Sequence, residues 1–314
     1  MRNGKPTVIS LFAGCGGSSL GYKWAGFEEL LAIDFDENCQ ITFEANFPKV
    51  PFWLRDITTV TAKEILKKTK LKIGELDVLD ASPPCQGFST AGKRKVLDPR
   101  NDLFKEFVRL IKDLEPKVFV MENVSGLAKG KMKGQFIEIM KELKSLPYQV
   151  KCKLLNAMYY GVPQSRARLV WIGAKAPLKF PEANKFIINA GQALGIEGAF
   201  SDSYPRYSKT NRPAPILRRG RAFSLVKTRS MSINPWMDGP AATITKTASD
   251  YRAKIGKEIR RLTIREAKIL SSYPDDFNFI GTFSDQWAVI GNSVPPKFME
   301  AIARNIREQV FDNA

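Results

Sequence analysis

The chain has 314 residues, 44% hydrophobic, 26% charged and 11% aromatic; this profile excludes disordered and collagen-like classes and leaves room for two domains. Lys and Arg number 49 against 32 Asp and Glu, a formal charge of +17, an excess suited to a polyanionic partner. Histidine is absent, which removes Ser-His-Asp triads, imidazole acid–base catalysis and His-containing metal sites.

In chain order, the first half alternates short apolar runs with helical patterns. Thr7–Ala13, Leu30–Phe35, Val78–Ala81, Val118–Met121 and Leu169–Gly173 read as strands. Between them, Glu37–Asn46, Ala62–Lys70, Leu103–Leu114 and Gln135–Leu146 read as helices. Alternation of this kind predicts a parallel sheet with helices on both faces, an α/β class in which ligands sit at the carboxyl ends of strands. Gly14, Asp34, Asp56, Cys85 and Glu122 all fall at such ends.

From about Lys175 the periodicity fades and the charge becomes one-sided. Residues 175–261 carry 17 Lys and Arg against 6 Asp and Glu. Between Ser203 and Met237 lie Arg206, Lys209, Arg212, Arg218, Arg219, Arg221, Lys227 and Arg229, with Tyr204, Tyr207, Phe223 and Trp236 interleaved and no acid. This composition predicts a smaller, loop-rich domain with a polyanion-binding face. Regular patterns return after Leu262 and end in an amphipathic helix, Lys297–Val310. The expected division is 1–180, a second domain at 181–263, and a return to the first at 264–314.

No run approaches the ~18 apolar residues of a membrane span, and the opening MRNGKPTVIS lacks a signal-peptide core, so the expected location is the cytoplasm. The four cysteines, Cys15, Cys39, Cys85 and Cys152, have wide spacing and no C-x-x-C. No metal site is expected, and the thiols should stay reduced.

Three motifs carry chemistry. Leu11 to Gly21, LFAGCGGSSLG, is a strand entering a glycine loop and a helix, where the backbone can approach a ligand closely. It lacks the lysine of a P-loop. With Asp34 placed to accept ribose hydroxyls, it suits a dinucleotide or S-adenosylmethionine (SAM) equally well. Asp80 to Ser89, DASPPCQGFS, is more specific: two prolines stiffen the approach to Cys85, presenting a thiol at a strand end as a nucleophile requires. Met121-Glu-Asn-Val124 places an acid at the end of the next strand, and Gln164-Ser-Arg-Ala-Arg168 puts two arginines on one side if extended.

With these residues the sequence resembles the DNA cytosine-5 methyltransferases. FAGCGG resembles the family's SAM loop, SPPCQGFS its nucleophile motif, and ENV, QSRAR, RLTIRE (261–266) and GNSVPP (291–296) follow in the family's order. The resemblance implies a Rossmann-like SAM-dependent methyltransferase domain with a target-recognition domain. It implies Cys85 as the nucleophile at cytosine C6, Glu122 at N3, Arg168 at O2, and Arg166 orienting the loop or binding phosphate. For SAM it implies Phe12, Ala13, Gly14, Cys15 (through backbone), Gly16, Gly17, Asp34, Phe35, Asp56, Ile57, Pro84, Leu103, Asn292, Ser293 and Val294. For double-stranded DNA it implies Gln86, Ser89 and Arg100 in a closing loop, Arg206, Arg212, Arg218, Arg219, Arg221, Lys227 and Arg229 in the basic region, and Thr243 in PAATIT.

Two departures from the family pattern are modest: Ser82 stands where glycine is common, and Asp34 where Glu is more usual. A tRNA-methylating branch shares the catalytic motifs, but its CQPFT variant is replaced here by CQGFS. A non-catalytic DNA-binding relative would have lost Cys85, Glu122 or the glycine loop. The expected setting is a monomeric restriction–modification methylase with a cognate endonuclease.

Overall fold

The computed structural model describes residues 4–84, 102–195, 224–226, 239–247, 252–255 and 258–312. Its centre is a seven-stranded sheet in the order β3-β2-β1-β4-β5-β8-β6. The strands are β1 (Thr7–Leu11), β2 (Glu28–Asp34), β3 (Phe52–Leu54), β4 (Val78–Ala81), β5 (Val118–Val124), β6 (Gln149–Asn156) and β8 (Ala167–Ala174). The first five are parallel neighbours, whereas β8 runs antiparallel to both β5 and β6. The expectation of a wholly parallel sheet is corrected at this strand. Reversal brings the start of β8 beside the end of β5, pairing Arg168 with Val124.

The chain moves outward from β1 to β2 and β3, then returns to β4 on the other side of β1. That reversal of strand order opens a crevice at the carboxyl ends of β1 and β4, where α/β sheets bind ligands.

Strand alternation divides the core. Ile9, Leu11, Leu79, Phe119 and Met121 face α3 (Ala62–Thr69), α4 (Leu103–Leu114) and α5 (Lys133–Lys144) in one apolar cluster. In α4 the buried Phe104, Phe107, Val108, Leu110, Ile111 and Leu114 recur at helical spacing, and the helix stops at Glu115, which takes a left-handed φ of 48° before Pro116. On the other face, Val8, Val78, Val118 and Val120 meet Tyr22 of α1 (Gly17–Trp24) and Phe298, Met299 and Ile302 of α9 (Pro296–Val310). A third cluster joins Phe43 and Phe47, from α2 (Glu37–Asn46) and its end, to α7 (Ile264–Leu270) and α8 (Phe283–Asn292).

Smaller elements lie outside the main sheet. β7 (Gln164–Ser165) pairs in parallel with β10 (Ala241–Ala242). β9 (Ser224–Val226), β11 (Arg252–Ile255) and β12 (Glu258–Arg261) form a three-stranded antiparallel sheet within the basic, loop-rich region. A one-turn helix, α6 (Ala190–Ala193), precedes that region. Among the described residues no helix is long and apolar enough to cross a membrane.

Candidate active site

The loop after β1 is built from backbone. Phe12 takes a positive φ of 55°, uncommon for a side chain of its size. Gly14 and Gly16 follow at 56° and 93°, the latter capping α1. The loop can close this way because it meets no side chain at two points. A Cβ on Gly16 would lie 2.5 Å from the Phe47 ring, and one on Gly17 would strike the Val294 carbonyl and come within 2.6 Å of Tyr273 Oη. A Cβ on Gly14 would meet nothing within 4 Å, so the loop faces open space there.

Asp34, at the end of β2, ties this loop to the next. Its Oδ2 accepts the Gly14 N–H (2.8 Å), and its Oδ1 accepts the N–H groups of Phe35 (2.8 Å) and Asp36 (3.1 Å). Burial pushes its carboxyl above the usual carboxylate range, and the three N–H groups pull it back. Beside it Phe35, an apolar residue, is 66% exposed.

The other residues predicted for this end divide by what their side chains do. Ala13 is buried and donates its N–H to the Ile33 carbonyl. Cys15 is buried with its thiol turned to Tyr273 Oη (3.4 Å) and the Val289 carbonyl (3.7 Å), and burial raises it to about 11. Only its backbone belongs to the loop. Asp56 caps a 3₁₀ turn through Thr58, and the Ile57 side chain lies in the core. Leu103 is half-buried against that same core, and Pro84 is half-buried at the end of the described β4 segment. Asn292 is exposed, Ser293 turns its hydroxyl to the Ile290 carbonyl (2.8 Å), and Val294 is buried.

Across the crevice the site is made of charged side chains. Arg168 Nε meets Glu122 Oε1 at 2.6 Å, with both side chains about nine-tenths buried. Glu122 and Val124 share a face of β5, and Arg168 is the cross-strand partner of Val124, so the pairing is diagonal within one face. Burial lowers the Arg168 pKa, while Glu122 opposes that shift. The next residue of the acid's motif points the other way: Asn123 Nδ2 donates to the Pro83 carbonyl (3.3 Å). It therefore connects β5 to the two prolines that lead to Cys85.

Arg166 and Arg168 have different partners. Arg166 lies between β7 and β8, and its guanidinium donates to the carbonyls of Ile244 (2.9 Å) and Gly291 (3.1 Å). Thr243, predicted to touch DNA, donates its hydroxyl to the Ser165 carbonyl (2.6 Å).

Several expected residues lie outside the described ones: Cys85, Gln86, Ser89 and Arg100 after the two prolines, and Arg206, Arg212, Arg218, Arg219, Arg221, Lys227 and Arg229 in the basic region. Conversely, the structure brings forward Tyr22 and Asp80, which sequence reasoning passed over. Tyr22 donates its hydroxyl to Asp80 (3.3 Å), and burial raises the Asp80 carboxyl to about 8. Glu29 accepts from Ser19 Oγ (2.9 Å) nearby and is raised to about 7, again chiefly by burial. An acid inside the apolar run VLDA was the available signal.

A crevice flanked by a glycine loop, a strand-end carboxylate and a buried Glu–Arg pair defines a Rossmann-like transferase. The particular family follows from comparison with known proteins. The family model for C-5 cytosine-specific DNA methylases matches residues 6–211 and 202–308. The Type II methyltransferase M1.HphI of Haemophilus parahaemolyticus is 37% identical over 96% of this chain and 86% of its own length. M.NgoPII of Neisseria gonorrhoeae is 31% identical over 98% of this chain and 99% of its own. Among solved structures, a candidate DNA modification methyltransferase encoded within an E. coli prophage aligns with a TM-score of 0.73 at 27% identity, covering 99% of this chain and 100% of the other. DNMT2 of Spodoptera frugiperda, at 0.62 and 19% identity over 96% and 99%, shares the fold. The chain belongs to the C-5 cytosine-specific DNA methylase family and is a DNA cytosine-5 methyltransferase.

Proposed function

We propose that the chain transfers a methyl group from SAM to C5 of a cytosine flipped out of duplex DNA at a short specific sequence, through a covalent bond between Cys85 and C6. The observation that carries this reading is the buried Glu122–Arg168 pair at 2.6 Å, joined through Asn123 to the prolines preceding Cys85. N3 and O2 are both bonded to C2 of cytosine and lie on one edge, so an acid and a guanidinium held side by side can address both.

The glycine loop fits the cofactor. Gly14 is open to space, Asp34 offers a carboxylate at the strand end, and Phe35 is an exposed apolar residue. Phe12 to Gly17, Asp34, Phe35, Asp56, Pro84, Leu103 and Asn292 to Val294 would surround it, with Cys15 and Ile57 contributing backbone. SAM bound there supplies an electrophilic methyl group.

The residues then divide the work. A base within a duplex is out of reach, so it must leave the stack. The Cys85 thiolate adds to C6, and negative charge moves to N3 and O2, where Glu122 donates a proton or hydrogen bond and Arg168 stabilises the oxygen. Addition turns C5 into the nucleophile of an enamine. After methyl transfer, the C5 proton passes to water, N3 returns to Glu122 any proton it took, and Cys85 departs as the thiolate, giving 5-methylcytosine. None of these roles requires histidine, which the chain lacks.

The basic region within 181–263, with its 8 cations between Ser203 and Met237, would provide target recognition. The likeness to Type II methyltransferases supports a restriction–modification setting with a partner endonuclease. Duplex DNA carrying 5-fluorocytosine tests the chemistry, because the C5 substituent cannot leave as a proton. Wild-type protein should form a denaturation-resistant adduct in the presence of SAM. Cys85→Ser should form none and should abolish turnover; normal turnover by that variant would overturn the assignment.

A further inference from the structure

Arg166 sits where three parts of the chain meet, with 3% of its surface exposed. Its backbone N–H donates to Asn156 Oδ1 (2.9 Å), at the end of β6. Its guanidinium spans the carbonyls of Ile244 and Gly291, at 2.9 and 3.1 Å. Ile244 belongs to the strap 239–247, within the basic, loop-rich region. Gly291 opens the run through Asn292 and Ser293 to Val294, whose carbonyl lies against Gly17 of the glycine loop.

The strap is bound to the methyltransferase body along its length. Ala241 N–H donates to the Pro163 carbonyl (2.9 Å), Thr243 Oγ1 to the Ser165 carbonyl (2.6 Å), and Trp287 Nε1 to the Thr245 carbonyl (2.9 Å). Gln164 Oε1 accepts the Ile244 N–H (3.0 Å). The Thr245 backbone touches the place where a Cβ on Gly291 would stand, just as the Val294 carbonyl does at Gly17. A continuous backbone path therefore runs from Thr245 through Gly291 and Val294 to Gly17, with Arg166 clamping its first junction.

We propose that Arg166 is a positioning residue that couples the two binding sites, so that DNA on the recognition region and cofactor at the glycine loop bind cooperatively. This rests on the proposed assignment of those two sites. A buried guanidinium is tolerated only while its polar partners stay in place. Separating the strap from Gly291 strips one carbonyl from a buried cation, so the two segments are ordered together or not at all. DNA that fixes the strap then lowers the ordering entropy left for the cofactor, and by linkage the cofactor does the same for DNA.

The probe is radiolabelled S-adenosylhomocysteine, which cannot turn over, measured by equilibrium dialysis on the full chain with and without saturating sheared, unmethylated genomic DNA. Wild type should bind it roughly fivefold or more tightly with DNA present, within the usual range of coupling factors. Arg166→Lys keeps the charge but cannot span both carbonyls, and should bring that ratio to within about twofold of unity. A general structural defect would weaken both measurements and leave their ratio standing. If Arg166→Lys unfolds, Thr243→Val loosens the same strap by removing its bond to Ser165 and should reduce the ratio.

The inference is overturned if the folded Arg166→Lys protein, or Thr243→Val in its place, keeps the wild-type ratio, or if wild type binds the probe equally with and without DNA. Failure of the underlying reading looks different: wild type would bind no probe, or Asp34→Ala would bind it as wild type does.

Discussion

The two sides of the crevice are built from different materials. The β1–β2 side is mostly backbone: two left-handed glycines, a strained Phe12 and an aspartate collecting three N–H groups. The β5–β8 side is a pair of buried, oppositely charged side chains. Backbone donors and a carboxylate suit a ligand that must be held, whereas a buried ion pair suits charge that appears only during reaction. Binding and chemistry should therefore separate when each side is altered.

The largest expected effect is on the charged side. Glu122→Gln should lower kcat by roughly 10²–10⁴-fold, the range for a positioned acid, with cofactor affinity nearly unchanged in calorimetry. A matching loss of affinity would erase the distinction between the two sides. Asp34→Ala should reverse the pattern, weakening cofactor binding by about 1.5–3 kcal/mol, roughly ten- to a hundredfold, while saturating cofactor restores most of kcat.

Gly17→Ala tests whether the loop depends on close backbone approach. Its Cβ would enter the Val294 carbonyl, and urea unfolding should show a loss of about 1–3 kcal/mol. Wild-type stability would mean that the loop can move aside freely.

The smallest effect concerns the acid beneath the site. The Asp80 carboxyl is raised from 3.8 to about 8, chiefly by burial. Between those values the folded chain holds a proton that the unfolded chain releases. Stability from this group is therefore full below about pH 4, falls as pH rises, and levels off above about 8. Asp80→Asn keeps an acceptor for the Tyr22 hydroxyl and does not ionise. Its Tm should exceed that of wild type by about 2 °C or more at pH 8, with the difference shrinking towards pH 4 in thermal melts.

Sequence pattern located these parts unevenly. The Glu37–Asn46 and Leu103–Leu114 helices and the Val78–Ala81 strand have the bounds that their periodicity and flanking residues predict. β3, only three residues long, carries too little pattern to register. β6 escaped because it is an edge strand: Lys151 and Lys153 are exposed along it and dilute the apolar signal. The direction of β8 is not written in hydrophobicity at all, yet it is what brings Arg168 to Glu122. Glycine spacing made the loop legible, and the Pro-Pro-Cys run marks the segment proposed to carry the nucleophile. The separate partners of Arg166 and Arg168 come from segments distant in sequence, Ile244 and Gly291 for one and Glu122 for the other, and local composition carries no mark of them.

Two points that bracket most of the basic region are themselves joined. Ala190 donates its N–H to the carbonyl of Gly239 at 2.8 Å, so the 48 residues between them start and finish at one place. Closure entropy rises only with the logarithm of loop length, about 0.6 kcal/mol per doubling. Lengthening, shortening or replacing that stretch should therefore disturb the seven-stranded sheet little, leaving one methyltransferase body able to carry inserted segments of many sizes.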